Sequence, residues 1–158
     1  MQVIHKTIGG LLEEMAAAYP QQDAVIHSEM GVRYHFKRLS REIDRSARGF
    51  IKLGINAGDK VGLWAHNTPE WLLSFLGITK IGAITVPIDP NATTENLHFI
   101  LAQSECSGLI ISGGAENRKT EEMALAAKKQ MPALQFIIVL GDASAEEMTP
   151  WDDFLALS

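Results

Sequence analysis

The sequence predicts an α/β fold, a three-layer sandwich in which a mostly parallel sheet lies between two layers of helices. Short apolar runs alternate along the chain with longer runs of helical periodicity. Gly, Pro and Thr residues stand between these runs, where turns and helix caps are expected. Strands that alternate with helices pair in parallel through right-handed crossovers, and the crossovers cover both faces of the sheet.

A helix and a β-hairpin are predicted to precede the sheet. Thr7 suits the N-cap of a helix that ends before Pro20. Two short β-prone runs flank Gly31, which predicts a hairpin with its turn near that glycine. These runs are residues 24–26 and 32–36. An amphipathic helix follows and ends at Gly54. Its apolar positions are Leu39, Ile43, Ala47, Phe50 and Ile51.

The remaining strands and helices alternate and make up the predicted sheet with its two covers. The strands are residues 61–65, 84–88, 108–112 and 135–140. One helix begins at Thr68, whose hydroxyl can cap it, and Pro69 suits the first turn because its missing N–H has no partner there. The other helices are residues 94–103 and 116–129. We expect residues 141–149 to form an exposed loop before a last helical turn near Pro150.

Length, charge and hydropathy limit the classes of function. A chain of 158 residues suits a single domain with one core. The formal charge is −5 and no stretch concentrates basic residues, so we expect no nucleic-acid partner. The longest apolar stretch, residues 71–78, is far below the ~20 residues that cross a bilayer, and Glu13 and Glu14 interrupt the amino-terminal apolar run. We therefore expect no transmembrane segment, no signal peptide and a cytoplasmic location.

Residues 113–120, GGAENRKT, nearly match a phosphate-binding loop. They follow a predicted strand and open a helix, and their glycines and lysine are of the types that cradle phosphates. Arg118 stands where a second glycine is needed for close approach of the backbone. We interpret the segment as an ordinary strand-to-helix turn, with nucleotide binding as the alternative. The pair Gly9-Gly10 is a weaker signal because no strand leads into it.

Polar residues after one strand and near the carboxyl terminus are candidate site residues. His66 and Asn67 follow a predicted parallel strand at its carboxyl end, where open α/β sheets bind their ligands. His66 is either a general base or substrate-wall residue, or a polar cap of the next turn, and the cap is the simpler interpretation. Asp152 and Asp153 are adjacent, and adjacent residues on a helix point in different directions. We interpret both as first-turn acids that the helix dipole favours.

The aromatic residues and the single cysteine are interpreted as packing residues. Trp64, Trp71 and Phe75 would suit an aromatic ligand box, but such residues on a strand and the following helix are more often core. Cys106 has no cationic activator beside it, so we interpret it as a small buried residue and not a reactive thiol. The five histidines lie singly, without metal-ligand spacing. The sequence therefore assigns no catalytic, cofactor-binding or metal-ligating residue.

Two runs in the middle of the chain resemble the AMP-forming acyl-CoA synthetases, which are adenylate-forming, AMP-binding enzymes. Residues 58–71 read GDKVGLWAHNTPEW, and residues 77–90 read GITKIGAITVPIDP. In that family a G-D-x-V strand leads to an N-x-x-E-W/F helix, which ends in a K-x-G-A-x-x-V-P-x-x-P segment. Gly82 lets the helix end, while Pro87 and Pro90 fix an extended exit that suits a strand at the end of a sheet.

The resemblance implies that residues 1–158 are a single domain, the amino-terminal subdomain of a larger enzyme with an acyl-CoA synthetase-like fold. It extends from about Thr7 to Leu155. Family members grip the triphosphate with a Ser/Thr/Gly-rich loop that ends in Pro-Lys-Gly, and a lysine on a carboxyl-terminal lid completes adenylation. Neither feature occurs in these residues. The ATP-binding core and the lid are therefore expected to be absent, and no site residue is carried over.

The resemblance also implies the reaction of the parent enzyme, an acid-thiol ligase. A carboxylate attacks the α-phosphate of ATP to give an acyl-adenylate and pyrophosphate, and the thiol of coenzyme A then displaces AMP. The parent is expected to use ATP, Mg²⁺ and coenzyme A, with a long-chain fatty acid as the acid because fatty-acid ligases are frequent in the family. The chain alone is expected to bind none of these, to be inactive, and to have the remainder of the enzyme as its partner.

Two interpretations from other classes stay open. The first is a free-standing module that binds a nucleotide or an acyl group without chemistry. The second is a structural or assembly piece, whose exposed apolar faces normally pack on the rest of an enzyme and which forms a homo-oligomer without it. We favour the second description for the chain itself and assign the enzyme activity to its parent.

Overall fold

The first elements are a capped helix and a hairpin. The structure, a computed structural model, describes residues 5–158. Helix α1 (Ile8–Ala18) begins where the Thr7 hydroxyl accepts a hydrogen bond from the backbone N–H of Gly10. Strands β1 (Asp23–His27) and β2 (Val32–His35) pair in antiparallel fashion. Both predictions are confirmed, including the turn near Gly31, whose positive φ of 62° favours glycine.

A sheet of five parallel strands follows the hairpin. Its strands are β3 (Lys60–Trp64), β4 (Ile84–Pro87), β5 (Gly108–Ser112), β6 (Phe136–Leu140) and β7 (Thr149–Pro150), in the spatial order β4-β3-β5-β6-β7. Every neighbouring pair is parallel. The remaining helices are α2 (Phe36–Lys52), α3 (Pro69–Lys80), α4 (Thr94–Ser104), α5 (Arg118–Gln130) and α6 (Trp151–Ala156). The predicted mostly parallel sheet is confirmed.

The helices cover the sheet on both faces. On one face Val61 and Leu63 of β3 pack with side chains of α2, α3 and α6. On the other face Trp64 of β3 and Leu109 of β5 pack with side chains of α4 and α5. Strand side chains alternate between the two faces, so each strand contributes to both cores. The predicted three-layer sandwich is therefore confirmed.

Helices α2 and α3 approach each other closely through small residues. A Cβ atom at Gly77 would lie 2.5 Å from the hydroxyl oxygen of Ser46 and 2.9 Å from its Cβ. Ser46 and Ser74 are both fully buried. The two helices can pack at this distance only because neither carries a large side chain at the contact.

Proline protects the β4 edge of the sheet. The backbone N–H groups of Ile84 and Ile88 donate to carbonyl oxygens in or beside β3. The backbone N–H positions of the residues that alternate with them therefore point away from β3, toward the open side of β4. Pro87 stands at one of these alternate positions, and it has no backbone N–H with which another strand could pair. The predicted strand at the end of the sheet is confirmed.

The region before α6 differs from the prediction. The exposed loop predicted for residues 141–149 ends earlier, because Met148 is buried in the α4–α5 core and Thr149 begins β7. Strand β7 has only two residues, too few to show a period in the sequence, and it forms because β6 offers a free edge. The helix predicted from about Glu116 to Lys129 is present, and its α-helical part begins at Arg118. A 3₁₀ turn (Ala115–Asn117) comes before α5.

Lys80 fastens α1 to the rest of the fold. Helix α1 has no buried residue, so little apolar packing holds it. The ammonium group of Lys80 lies 2.7 Å from a carboxylate oxygen of Glu13 in α1 and 2.6 Å from one of Asp44 in α2. Although burial lowers the pKa of Lys80, its hydrogen bonds to Asp44 and Glu13 raise that pKa above its ordinary value.

We predict that Gly77→Ala destabilises the protein by about 1–3 kcal/mol, because the added methyl group meets Ser46 and the backbone of α2. Gly9→Ala is the matched control. Its Cβ would meet Lys80 at an ordinary 3.6 Å, so it should be neutral or stabilise by up to about 1 kcal/mol. Urea denaturation of both variants measures the difference. Equal stability of Gly77→Ala and the native chain would contradict the close contact.

We predict that Lys80→Gln loosens α1 at neutral pH, at a cost of about 0.5–1 kcal/mol for these partly exposed ion pairs. Because the pKa of Lys80 is raised on folding, this stabilisation is complete below the unfolded pKa of about 10.4 and is lost as the pH rises through the folded pKa. Amide exchange in α1 is the measurement. Lys129→Gln, at an exposed position of α5, is the control. Unchanged exchange in α1 would mean that Lys80 does not hold this helix.

Candidate functional site

A cleft of about 600 Å³ lies at the carboxyl-terminal ends of the sheet strands. It is lined by residues that follow three strands: His66 after β3, Gly113 after β5, and Gly141 after β6. Because the strands are parallel, all their carboxyl ends meet at this end of the sheet. The cleft is therefore built from the positions where open α/β sheets carry their ligand-binding loops.

The cleft also lies at the point where the order of the strands reverses. After β3 the chain crosses to β4 on one side of β3 and then returns to β5 on the other side. The helices that follow β3 and β5, which are α3 and α5, lie on opposite faces of the sheet. The loops after β3 and β5 therefore diverge, and a crevice opens between them.

A hydroxyl group joins the two loops at the crevice. The backbone N–H of His66 donates to the hydroxyl oxygen of Ser112, at 3.0 Å. The cap of α3 is Thr68, which accepts from the N–H of Trp71 at 3.3 Å. The predicted cap of α3 is therefore confirmed. The interpretation of His66 as a polar residue that caps the turn before Thr68 stays a prediction. His66 is exposed and lines the cleft, so its role as a substrate-wall residue stays a prediction.

The hairpin forms a further wall and is pinned to the loop after β3. Nε2 of His27 donates to the carbonyl oxygen of Asn67 at 3.3 Å, and its Nδ1 accepts from the N–H of Met30 at 3.3 Å. One neutral tautomer of the imidazole, with the proton on Nε2, makes both bonds. Met30 consequently lies at the mouth of the cleft. Periodicity within the hairpin could not predict this contact between distant segments.

The cleft carries acidic side chains. Glu70, Asp142, Asp152 and Asp153 line it, whereas its lining includes no Lys or Arg. Carboxylates without neighbouring cations repel a phosphate group. The residues that this chain contributes therefore do not fit the triphosphate of a nucleotide on their own. Within residues 5–158, no group of three or more His, Cys, Asp and Glu residues could hold a metal ion.

Asp152 and Asp153 lie in the first turn of α6, as predicted, and both are exposed. Both line the same cleft, because it is wide enough to reach past the amino end of this short helix. His66 and the two acids, which are far apart in sequence, border one cavity.

The segment that resembles a phosphate loop uses its backbone N–H groups within the fold. The N–H of Gly113 donates to the carbonyl oxygen of Leu140 at 3.1 Å, and that of Gly114 donates to Asp142 at 3.2 Å. The first turn of α5 also contains the buried carboxylate of Glu121. The N–H groups of both glycines are engaged within the fold and do not point at a ligand. These contacts support the interpretation as a strand-to-helix turn.

The aromatic residues do not converge on one box. Trp64 is buried in the α4–α5 core, where its indole N–H donates to the carbonyl oxygen of Asp89 at 2.8 Å. Trp71 packs against the opposite core and stacks on Phe75, with 5.7 Å between ring centroids. The core interpretation is confirmed for Trp64. Trp71 is only partly buried and borders an apolar groove of about 340 Å³ between the hairpin and α3.

Cys106 is buried, as predicted. Burial raises the pKa of its thiol, and the hydrogen bond with Ser104 and the charge of Lys60 only partly oppose this effect. The group therefore stays a neutral thiol at neutral pH and is a poor nucleophile. None of the helices in residues 5–158 has both the length and the apolar character that crossing a bilayer requires.

Comparison with known proteins gives a consistent family. Residues 12–156 match the family described as AMP-binding enzyme. A Bacillus subtilis protein named as an acyl-CoA synthetase, YngI, is 33% identical over 165 residues, which cover 96% of this chain and 30% of that protein. The rat mitochondrial medium-chain acyl-CoA ligase ACSF2 is 28% identical over 133 residues, which cover 84% of this chain and 21% of the ligase.

A solved structure has the same fold. The anthranilate CoA ligase AuaEII, in complex with anthranoyl-AMP, superposes with a TM-score of 0.85 at 22% identity. The superposition covers 98% of this chain and 29% of that ligase. The chain thus spans less than a third of the length of each of these three relatives.

We predict that Ser112→Ala frees the loop after β3 and speeds amide exchange at His66 by roughly tenfold, the effect of losing one hydrogen bond worth about 1 kcal/mol. The matched control is Ser107→Ala. The Ser107 hydroxyl donates to the Lys60 carbonyl at the other end of the same strand pair. That control should lose similar stability without changing exchange at His66. Equal exchange at His66 in both variants would show that Ser112 does not hold this loop.

Proposed function

Because this chain belongs to the AMP-binding enzyme family, we propose that it forms the amino-terminal part of an ATP-dependent acyl-CoA synthetase. The match over residues 12–156 carries the proposal. It is supported by relatives named as acyl-CoA synthetases or ligases, of which this chain spans 30% or less. In this proposal the enzyme activity belongs to a longer protein, and residues 1–158 form one of its domains.

The proposed reaction solves a chemical difficulty. A carboxylate is a poor electrophile at neutral pH. Its attack on the α-phosphate of ATP forms an acyl-adenylate, releases pyrophosphate and leaves the acyl carbon attached to a good leaving group. The thiol of coenzyme A then displaces AMP and gives the thioester. ATP and coenzyme A are both substrates of this reaction.

In this proposal the chain contributes the cleft at the carboxyl-terminal ends of its sheet strands. The cleft between the loops after β3 and β5 offers hydrogen-bonding groups such as His66, Ser112 and Asn117. Its acidic lining makes it a poor triphosphate site by itself. We therefore propose that the groups that grip the triphosphate and Mg²⁺ come from residues outside this chain, and that the chain alone binds neither and is inactive.

We propose a fatty acid, of long chain length, as the acid that is activated. The family supports this choice, and the names of the relatives differ in the acid. The rat ligase is named for medium-chain acids and AuaEII for anthranilate. A panel of acids from short to long chain, with anthranilate included, is needed to assign the acid class.

The proposed partner of the chain is the remainder of the enzyme. Large apolar side chains such as Phe99, Ile26 and Ile51 are exposed, at 67%, 58% and 57% respectively. In a longer enzyme such surfaces can be covered, and in the isolated chain they would favour self-association. We keep the cytoplasm as the predicted location. The rat relative is named as mitochondrial, so cell fractionation is the deciding measurement.

The proposal predicts a clear difference between the chain and a longer protein. The chain alone should give no carboxylate-dependent exchange of pyrophosphate into ATP. A protein that continues into the remaining two thirds should give that exchange and, with coenzyme A, the acyl-CoA. Exchange by the chain alone would refute the division of roles, and no exchange by the longer protein with any acid of the panel would refute the reaction.

The same preparations distinguish the two other classes of function. Calorimetry with ATP, AMP and acyl-CoA would detect a free-standing binding module as tight binding by the chain alone. Sedimentation would detect an assembly piece as a homo-oligomer that disappears in the longer protein. Either result without pyrophosphate exchange in the longer protein would replace the enzyme assignment.

A further inference from the structure

Glu121 is an uncommon residue for the inside of a protein. It is 2% exposed and is the only charged residue among the buried polar residues of the described chain. It lies in the first turn of α5, where the positive end of the helix dipole favours a carboxylate. Burying a carboxylate is costly unless hydrogen bonds and nearby charges compensate for the lost water.

Both hydrogen-bond partners of this carboxylate belong to one residue. Oε2 of Glu121 accepts from the backbone N–H of Ser144 at 3.1 Å and also from the hydroxyl of Ser144. Within residues 5–158, no Lys, Arg or His forms an ion pair with Glu121. The buried carboxyl group of Glu121 therefore receives its compensation from the α5 dipole and from Ser144.

Ser144 belongs to the segment of residues 141–148, which borders the cleft. Its first residues, Gly141 and Asp142, line the cleft, and its last residue, Met148, is buried before β7 begins. Between these ends Ala143 packs against the α4–α5 core, and Nζ of Lys128 in α5 donates to the carbonyl oxygen of Glu147 at 3.4 Å. The N–H of Gly114 donates to the carbonyl oxygen of Asp142 at 3.2 Å, just before this helix.

An apolar residue would fill the position of Glu121 at a lower cost in desolvation. Unlike an apolar side chain, the carboxyl group forms directional hydrogen bonds. One of its oxygens accepts from both the N–H and the hydroxyl of Ser144 and so fixes the position of that residue. Ser144 is two residues from Asp142, so fixing one limits where the other can lie. The contact thus connects a buried helix turn with a wall of the cleft.

We propose that Glu121 is a positioning residue for the cleft. Its buried carboxyl group binds Ser144 through two hydrogen bonds and so holds Gly141 and Asp142 at the carboxyl-terminal ends of the strands. Glu121 does not line the cleft itself and acts only through Ser144. Because Glu121 belongs to α5, the position of this helix sets the position of residues 141–148.

The test compares four variants by amide exchange and by the NMR shift of the Asp142 amide. Glu121→Gln weakens both bonds, Ser144→Ala removes one, and Ser144→Thr keeps both. Glu122→Gln makes the same charge change at the next, exposed position of α5. We expect exchange at residues 142–146 to rise roughly 10- to 100-fold in Glu121→Gln, less in Ser144→Ala, and to stay native in Ser144→Thr and Glu122→Gln.

Exchange in β5 and β6 reports global unfolding in the same samples, so a local effect can be separated from a loss of stability. A folded Glu121→Gln or Ser144→Ala variant with native exchange at residues 142–146 and a native Asp142 shift would overturn the proposal. If Glu121→Gln does not fold, the comparison of Ser144→Ala with Ser144→Thr decides. These measurements concern the chain itself, so their outcome is separate from whether a longer enzyme activates a carboxylate.

Discussion

The parallel pairing of β3 with a strand on each side is the constraint on which the rest of the structure depends. β3 pairs with β4 through one edge and with β5 through the other, and both of its faces are buried. Parallel neighbours require crossovers, and here α3 crosses over one face and α4 over the other. The two helical layers follow from this arrangement. So does the cleft, because the loops after β3 and β5 leave the sheet in different directions.

Acidic residues occupy the first turns of the helices that begin near the carboxyl-terminal ends of the strands. Glu70 lies in the first turn of α3, Glu121 in that of α5, and Asp152 and Asp153 in that of α6. Each acid stabilises the positive end of its own helix dipole. The chain thereby fills with its own carboxylates the places where an anionic ligand would otherwise be favoured. The cleft lining, with four acids and no Lys or Arg, is accordingly unfavourable to an anionic ligand.

Much of the fold could be predicted from local pattern. Thr68 and Pro69 mark the start of α3, and Pro87 marks an edge strand, because caps and missing donors act within a few residues. The prediction was wrong where the partner is distant. Met148 is buried by packing on α4 and α5, and β7 exists because β6 offers an edge, neither of which leaves a period in residues 141–149. Asp152 and Asp153 lie in the first turn of α6 as predicted, whereas the cavity that both border depends on loops that are distant in sequence.

By itself the sequence determined the alternation of strands and helices, the parallel sheet and the resemblance to a family, because periodicity, caps and glycine positions are local properties of the chain. Only the tertiary structure decided that His66 meets Ser112, that His27 pins the hairpin to the loop after β3, and that Glu121 holds Ser144. Each of these contacts joins residues more than 20 positions apart. The physical reason is that a hydrogen bond depends on distance in space, which local pattern does not encode.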